Sequence, residues 1–275
     1  MTVDVERDRP HGADSAALAL PRWLQRISWV VVLVFGVAAY LIVLRTMINT
    51  ENLNLFPALL FIGALTVPLA VLAFALVVDG SSGVPAWVVV TSAVVGGLVG
   101  MVAASTLEYD TMHRLGGLPM LFVGIIEEAS KLVVPLLLFV LLRPRDPRGG
   151  VIIGIASGMG FAVLETMGYG LQALLSAKSV TAVDGTLLLR ALLSPACHIA
   201  WTGMTVAMLW RIRSSRHHVR AGFAFLATYL VAVALHATWD GSSSRTVHVV
   251  VAAIGLVSLL IFIFLAHRRR ADSGH

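Results

Sequence analysis

"FVGIIEEASKLVVPLLLFVLL", residues Phe122 to Leu142, reads as a membrane helix, yet Glu127, Glu128 and Lys131 sit inside its apolar run. An ionisable group at bilayer depth costs about 2.5–3.5 kcal/mol on insertion scales, so such groups face a protein interior or cavity and mark function. The length of the run suits a hydrocarbon core of roughly 30 Å. Its charges demand neighbouring helices with polar partners. The stretch therefore points to a bundle of membrane helices built around a polar centre.

The rest of the chain agrees. Of 275 residues, 58% are hydrophobic and 13% charged, against roughly 45–50% and 25% in soluble domains. Apolar runs place eight spans at about 27–44, 55–78, 84–104, 118–142, 151–175, 187–210, 221–240 and 246–266. The expected fold class is all-α, a polytopic membrane helical bundle. Residues 21–275 form one transmembrane domain, and residues 1–20 read as a short flexible cytoplasmic tail. No signal-peptide pattern accompanies the first span. Glycine-rich stretches, "GGLVG" at Gly96–Gly100 and "GIASGMG" at Gly154–Gly160, suit close helix packing in lipid.

The net charge of +5 and the pI near 10 do not indicate nucleic acid, because the basic residues fall in short loops. With a cytoplasmic N-terminus, fourteen Lys and Arg residues lie on the inside. Arg45, Arg114, Lys178 and Arg245 lie outside. This asymmetry supports cytoplasmic placement of both termini and an even number of spans. The lone cysteine, Cys197, excludes an internal disulfide and a Cys-rich zinc site. It reads as a packing residue.

Ionisable residues within spans are confined to four consecutive helices: Glu127, Glu128 and Lys131; Glu165; Arg190 and His198; His236 and Asp240. Spans 1, 2, 3 and 8 carry none in their middles. Glu127 and Lys131 share a helix face, as do Phe161 and Glu165, and His236 and Asp240. With a rise of about 1.5 Å per residue, Glu127, Glu165 and His198 lie roughly 13–16 Å from the outer ends of their spans. His236 is shallower on the same side. The spans alternate in direction, so local sequence does not force this agreement. It points to one polar pocket in the outer half of the membrane.

Two or three carboxylates and two imidazoles, without a Gly-x-Ser-x-Gly elbow or a Ser–His–Asp set, suit water activation. A carboxylate in an apolar pocket can act as a general base, and imidazoles can orient water or stabilise an oxyanion. The alternative use of Glu127, Glu165, His198 and His236 is zinc binding through oxygen and nitrogen. Composition leaves both uses open. Taken singly, the residues have plainer readings: a structural ion cluster at Glu127–Lys131, satisfied interior histidines, and Asp240 as a helix terminator. Arg190 is expected to snorkel, and His217 and His218 to sit solvated in a basic loop. His113 and His248 fall near the outer surface without an evident partner. Trp201 and Trp239, each three residues after a histidine, are candidates to wall the pocket.

The motifs occur in a recognisable order. "EEASK" (Glu127–Lys131), "FAVLE" (Phe161–Glu165), "HIAW" (from His198) and "HATWD" (His236–Asp240) resemble the EExxK, FxxxE and two histidine motifs of the PrsW family of bacterial intramembrane proteases. The resemblance covers roughly residues 118–240. That family is grouped with the type II CAAX prenyl endopeptidases and Abi proteins. The resemblance implies Glu127 as the water-activating base and Glu128 and Lys131 as its support. It implies His198 and His236 as oxyanion or water-binding groups. Glu165 stands where the prenyl endopeptidases carry His, which separates this chain from prenyl processing and leaves metal dependence open. The implied partners are the lipid bilayer and a single-pass membrane substrate such as an anti-sigma factor, cut near the outer face of a bacterial plasma membrane. The competing reading from another class is a proton- or cation-coupled transporter using the same acidic and histidine pocket. Pro135 and Pro195 interrupt spans as in transporters, but no internal repeat accompanies them. A non-catalytic scaffold is the third reading.

Overall fold

The computed structural model describes residues 21–79, 83–142 and 149–272. The proposed tail at 1–20 lies outside them, as do the arginines at 143–148 used for topology. The described chain is helical, with α1 (Arg22–Arg26), α2 (Ser28–Thr50), α3 (Phe56–Asp79), α4 (Ala86–Leu115), α5 (Met120–Lys131), α6 (Val133–Leu141), α7 (Gly149–Ala177), α8 (Val180–Leu193), α9 (His198–Ser214), α10 (His218–Gly241) and α11 (Arg245–Asp272). Among the described residues, seven segments are long and apolar enough to cross a membrane. The chain is a polytopic membrane bundle, as expected.

The expected fourth span, 118–142, is not one helix. It breaks at Leu132 into α5 and α6, each too short to cross alone. Pro135 is the cause. Proline has no amide N–H and its ring crowds the carbonyl four residues back, which here belongs to Lys131. That carbonyl instead accepts a hydrogen bond from the Ser157 hydroxyl of α7 at 2.9 Å. The sixth span breaks in the same manner. α8 ends at Leu193, a 3-10 turn holds Pro195, and α9 begins at His198. Irregular backbone is tolerated at membrane depth only when protein buries it, and Lys131, Leu132, Pro195 and His198 are all buried.

The third span also differs from expectation. α4 runs on to Leu115, well past residue 104, and stops where Gly116 takes φ +67. Its last three turns carry polar residues, which lowered the apolar signal without breaking the helix.

α7 lies at the centre and packs on α9, α4, α3 and α8. Its glycines permit the close approach. A Cβ on Gly154 would stand 2.6 Å from the Thr202 carbonyl oxygen, and one on Gly158 2.6 Å from that of His198. On the α4 side, a Cβ on Gly160 would collide with the Ala93 carbonyl. On α5, a Cβ on Gly124 would lie 2.9 Å from the Val233 carbonyl of α10. Small residues thus set the distances at which α5, α7, α9 and α10 meet, and these four helices carry the motif residues.

Candidate active site

α5 turns its buried face inward with Glu127, Glu128 and Lys131 on it. Lys131 has no exposed surface and is the hub of the cluster. Its ammonium donates to Glu128 Oε1 at 2.8 Å and to Glu127 Oε2 at 3.2 Å. A third contact, at 2.8 Å, is to Nδ1 of His198. The ammonium also lies 4.3 Å from the centroid of the Phe161 ring, a cation–π arrangement. A buried ammonium needs such company, since an unpaired one would be costly.

His236, from α10, is equally enclosed. Its Nδ1 faces Glu128 Oε1 at 2.8 Å, while its Nε2 faces Asp240 Oδ2 at 3.1 Å and Glu127 Oε2 at 3.5 Å. His198 opens α9, and its Nε2 stands 3.0 Å from Glu165 Oε2 on α7. Glu165 is paired in turn with Arg190 Nη2 at 2.6 Å. The two imidazole centroids are 5.3 Å apart, and Trp201 packs edge-on against His198 and tilted against His236. One connected network therefore joins Asp240, His236, Glu128, Glu127, Lys131, His198, Glu165 and Arg190 across five helices. Every site residue expected from sequence, Phe161 included, is in it or touches it.

Glu127 and Glu128 differ in access. Glu128 is spent on two short contacts and is almost wholly enclosed. Glu127 has longer contacts and lines a cavity of about 250 Å³ with Glu108, Phe161, Glu165 and Tyr169. A second cavity of about 720 Å³ is walled by His198, Arg190, Cys197, Trp239, Arg245 and His248 among others, and shares no lining residue with the first.

Several readings change. Arg190 has partners within the bundle: it binds Glu165 and lies over the Tyr169 ring at 4.0 Å. Asp240 contacts His236 rather than serving only as a terminator. His248 has a partner, the Trp239 carbonyl at 3.0 Å, and His113 meets the Tyr109 carbonyl at 2.9 Å. Cys197 is buried. Span 3 supplies an ionisable group after all. Glu108 shares the small cavity with Met101, Ala104 and Ser105, a helical face that the spacing of those four residues reveals.

Among the described residues, Glu127, His198 and His236 form the group able to hold a metal ion, one ligand atom from each lying within 4.8 Å of the others. Glu165 stands outside this group. One carboxylate oxygen with two imidazole nitrogens is a donor set of catalytic zinc sites, which keep a fourth position open. The place already accommodates a cation, since the Lys131 ammonium contacts both Glu127 and His198. The donors fit a zinc-class ion, which would take over contacts that Lys131 now makes.

Comparison with known proteins follows this geometry. Residues 67–267 match the family described as PrsW family intramembrane metalloprotease. No curated protein and no solved structure matches the chain.

Proposed function

The chain belongs to the PrsW family of intramembrane metalloproteases, and from that premise we propose that it cuts a single-pass membrane protein at the Glu127–His198–His236 cluster. The observation that carries this assignment is the access of Glu127. It is the member of the adjacent pair that reaches open space while its neighbour Glu128 holds Lys131 and His236 in place.

In this reading Glu127 takes a proton from a water molecule as the water oxygen attacks the carbonyl carbon of the scissile bond. The oxyanion that develops lies in the field of the enclosed Lys131 ammonium, which sits directly behind Glu127. The tetrahedral species collapses, the C–N bond breaks, and Glu127 returns the proton to the leaving amine. His198, fixed between Lys131 and Glu165, holds the ammonium and the Glu165 carboxylate in place beside Glu127. Glu127, His198 and His236 would hold a zinc-class ion if one binds, and that ion would then supply the Lewis-acid activation of water, with Glu127 serving as its ligand. The arginine asymmetry of the sequence supports an outer-side location for the end where α4 and α7 terminate, in a bacterial plasma membrane on this reading. An anti-sigma factor has the single-pass form that suits this access. The transporter reading is not favoured by the family match.

The test is mapping of new N-termini in membranes that contain the wild-type chain or Glu127→Gln, with and without a chelator. New termini within or beside single-pass segments, present only with wild type, are the expected result. Identical termini in both membranes would contradict the reading.

A further inference from the structure

Glu108 is a carboxylate that the mechanism above does not use. It lies on α4, inside the segment long and apolar enough to cross the membrane. Its Oε1 is buried and, among the described residues, has no hydrogen-bond partner. The residue as a whole is half-buried, so this is a carboxylate with one enclosed, unpaired oxygen and a face left open, and a partner entering beside it would remove a cost of up to about 1–3 kcal/mol. The cavity it lines shows what that partner is. Glu127 and Glu165 are the other charged groups on the wall, and among the described residues no Lys, Arg or His lines it. Lys131, Arg190 and His198, which balance Glu127 and Glu165, are not among its lining residues. Glu108 makes no direct ion pair among the described residues. The remaining wall offers Ser105 and Gln172 as acceptors, which suit a cation, while the Phe161 and Tyr169 rings already have Lys131 and Arg190 over them and serve as apolar wall. The volume, about 250 Å³, is that of roughly eight waters at about 30 Å³ each, enough for one long side chain and too little for a helix.

We propose that Glu108 is a specificity-determining residue, the acidic end of a subsite that takes a lysine or arginine side chain of the substrate close to the scissile bond. The assignment rests on the protease reading of Glu127, because the same cavity touches both carboxylates. A basic side chain entering it would pair with Glu108 and bring its own backbone to the edge where Glu127 stands. Substrates with an apolar or acidic residue there would leave Glu108 unpartnered or repelled, so discrimination comes from both attraction and rejection.

The test uses the full chain in membranes with a library of single-pass reporters that differ only in the residues flanking the outer end of their span. Cut positions are read from new N-termini by mass spectrometry. With wild type, Lys or Arg at a fixed distance from the cut is enriched about tenfold or more over Leu and Gln. Glu108→Gln, close in shape, flattens that enrichment. Glu108→Asp keeps part of it, and Glu108→Lys turns it toward Asp and Glu. Absence of basic enrichment in wild type, or its survival in Glu108→Gln, overturns the subsite. Cutting that persists in Glu127→Gln overturns the base assignment instead, while the enrichment still judges Glu108. A library that wild type leaves intact overturns both.

Discussion

The ammonium of Lys131 lies 2.8 Å from Nδ1 of His198. An ammonium only donates, so this nitrogen accepts and the ring proton sits on Nε2, where it meets Glu165 at 3.0 Å. The lysine of the EEASK motif thereby sets the tautomer of a histidine on another helix. It also neutralises two adjacent glutamates that would otherwise repel each other in an apolar interior. Nitrogen chemical shifts of labelled histidine should report the Nε2–H form in the wild-type protein. Lys131→Met should change that signature and destabilise the fold by about 3–5 kcal/mol, because it strands buried carboxylates. Lys131→Arg keeps the charge but not the compact geometry, so it should express better than Lys131→Met while cleaving poorly.

Pro135 and Ser157 are linked through one carbonyl. Ser157→Ala removes the donor that Lys131's carbonyl has in place of the missing amide of Pro135, and should cost about 1–3 kcal/mol. Pro135→Ala restores an amide that can close the helix onto the same carbonyl. In the double variant the stability loss of Ser157→Ala should shrink, a coupling readable from a thermal-unfolding cycle. The helix break would be lost with it, Lys131 would move, and cleavage should fall although stability is regained. Additive stability effects would show that the two residues do not share that carbonyl.

Much of this site was legible in sequence because its chemistry sits in short, ordered motifs on apolar spans, where every charge is conspicuous. Glu127, Glu128, Lys131, Glu165, His198 and His236 stand out for that reason alone. Glu108 was hidden because its surroundings, "STLEYDTMHRL", are polar enough to resemble a loop. No glycine or proline breaks the helix there before Gly116, and that was the signal available. The break at Leu132 was readable from Pro135, but its consequence was not, since the compensating hydroxyl comes from α7. Arg190 was misread for the same kind of reason: its partner Glu165 lies on a different helix, and only helix packing brings the two together.

The pairing of Arg190 with Glu165 at 2.6 Å carries its own expectation. Glu165 faces His198 on one side and the small cavity on another. Arg190→Gln leaves this carboxylate with His198 alone, which pulls the imidazole away from the Lys131 ammonium. Cleavage should drop by roughly tenfold, equivalent to about 1.4 kcal/mol in the barrier, with partial recovery in Arg190→Lys. Wild-type turnover in Arg190→Gln would return the arginine to a surface role.

Glu128 and Glu127 should separate stability from chemistry. Glu128→Gln weakens the hold on both Lys131 and His236 and should lower the unfolding temperature as well as activity. Glu127→Gln keeps shape and hydrogen-bonding capacity at the residue that faces the cavity, and removes only the base. The most direct measurement is therefore the cleavage rate of a single-pass reporter by purified Glu127→Gln in lipid vesicles, with its unfolding temperature taken in the same preparation. Folding close to wild type with cleavage reduced by about 10²-fold or more is the expected result. Near wild-type cleavage by a folded Glu127→Gln would contradict the role given to this carboxylate.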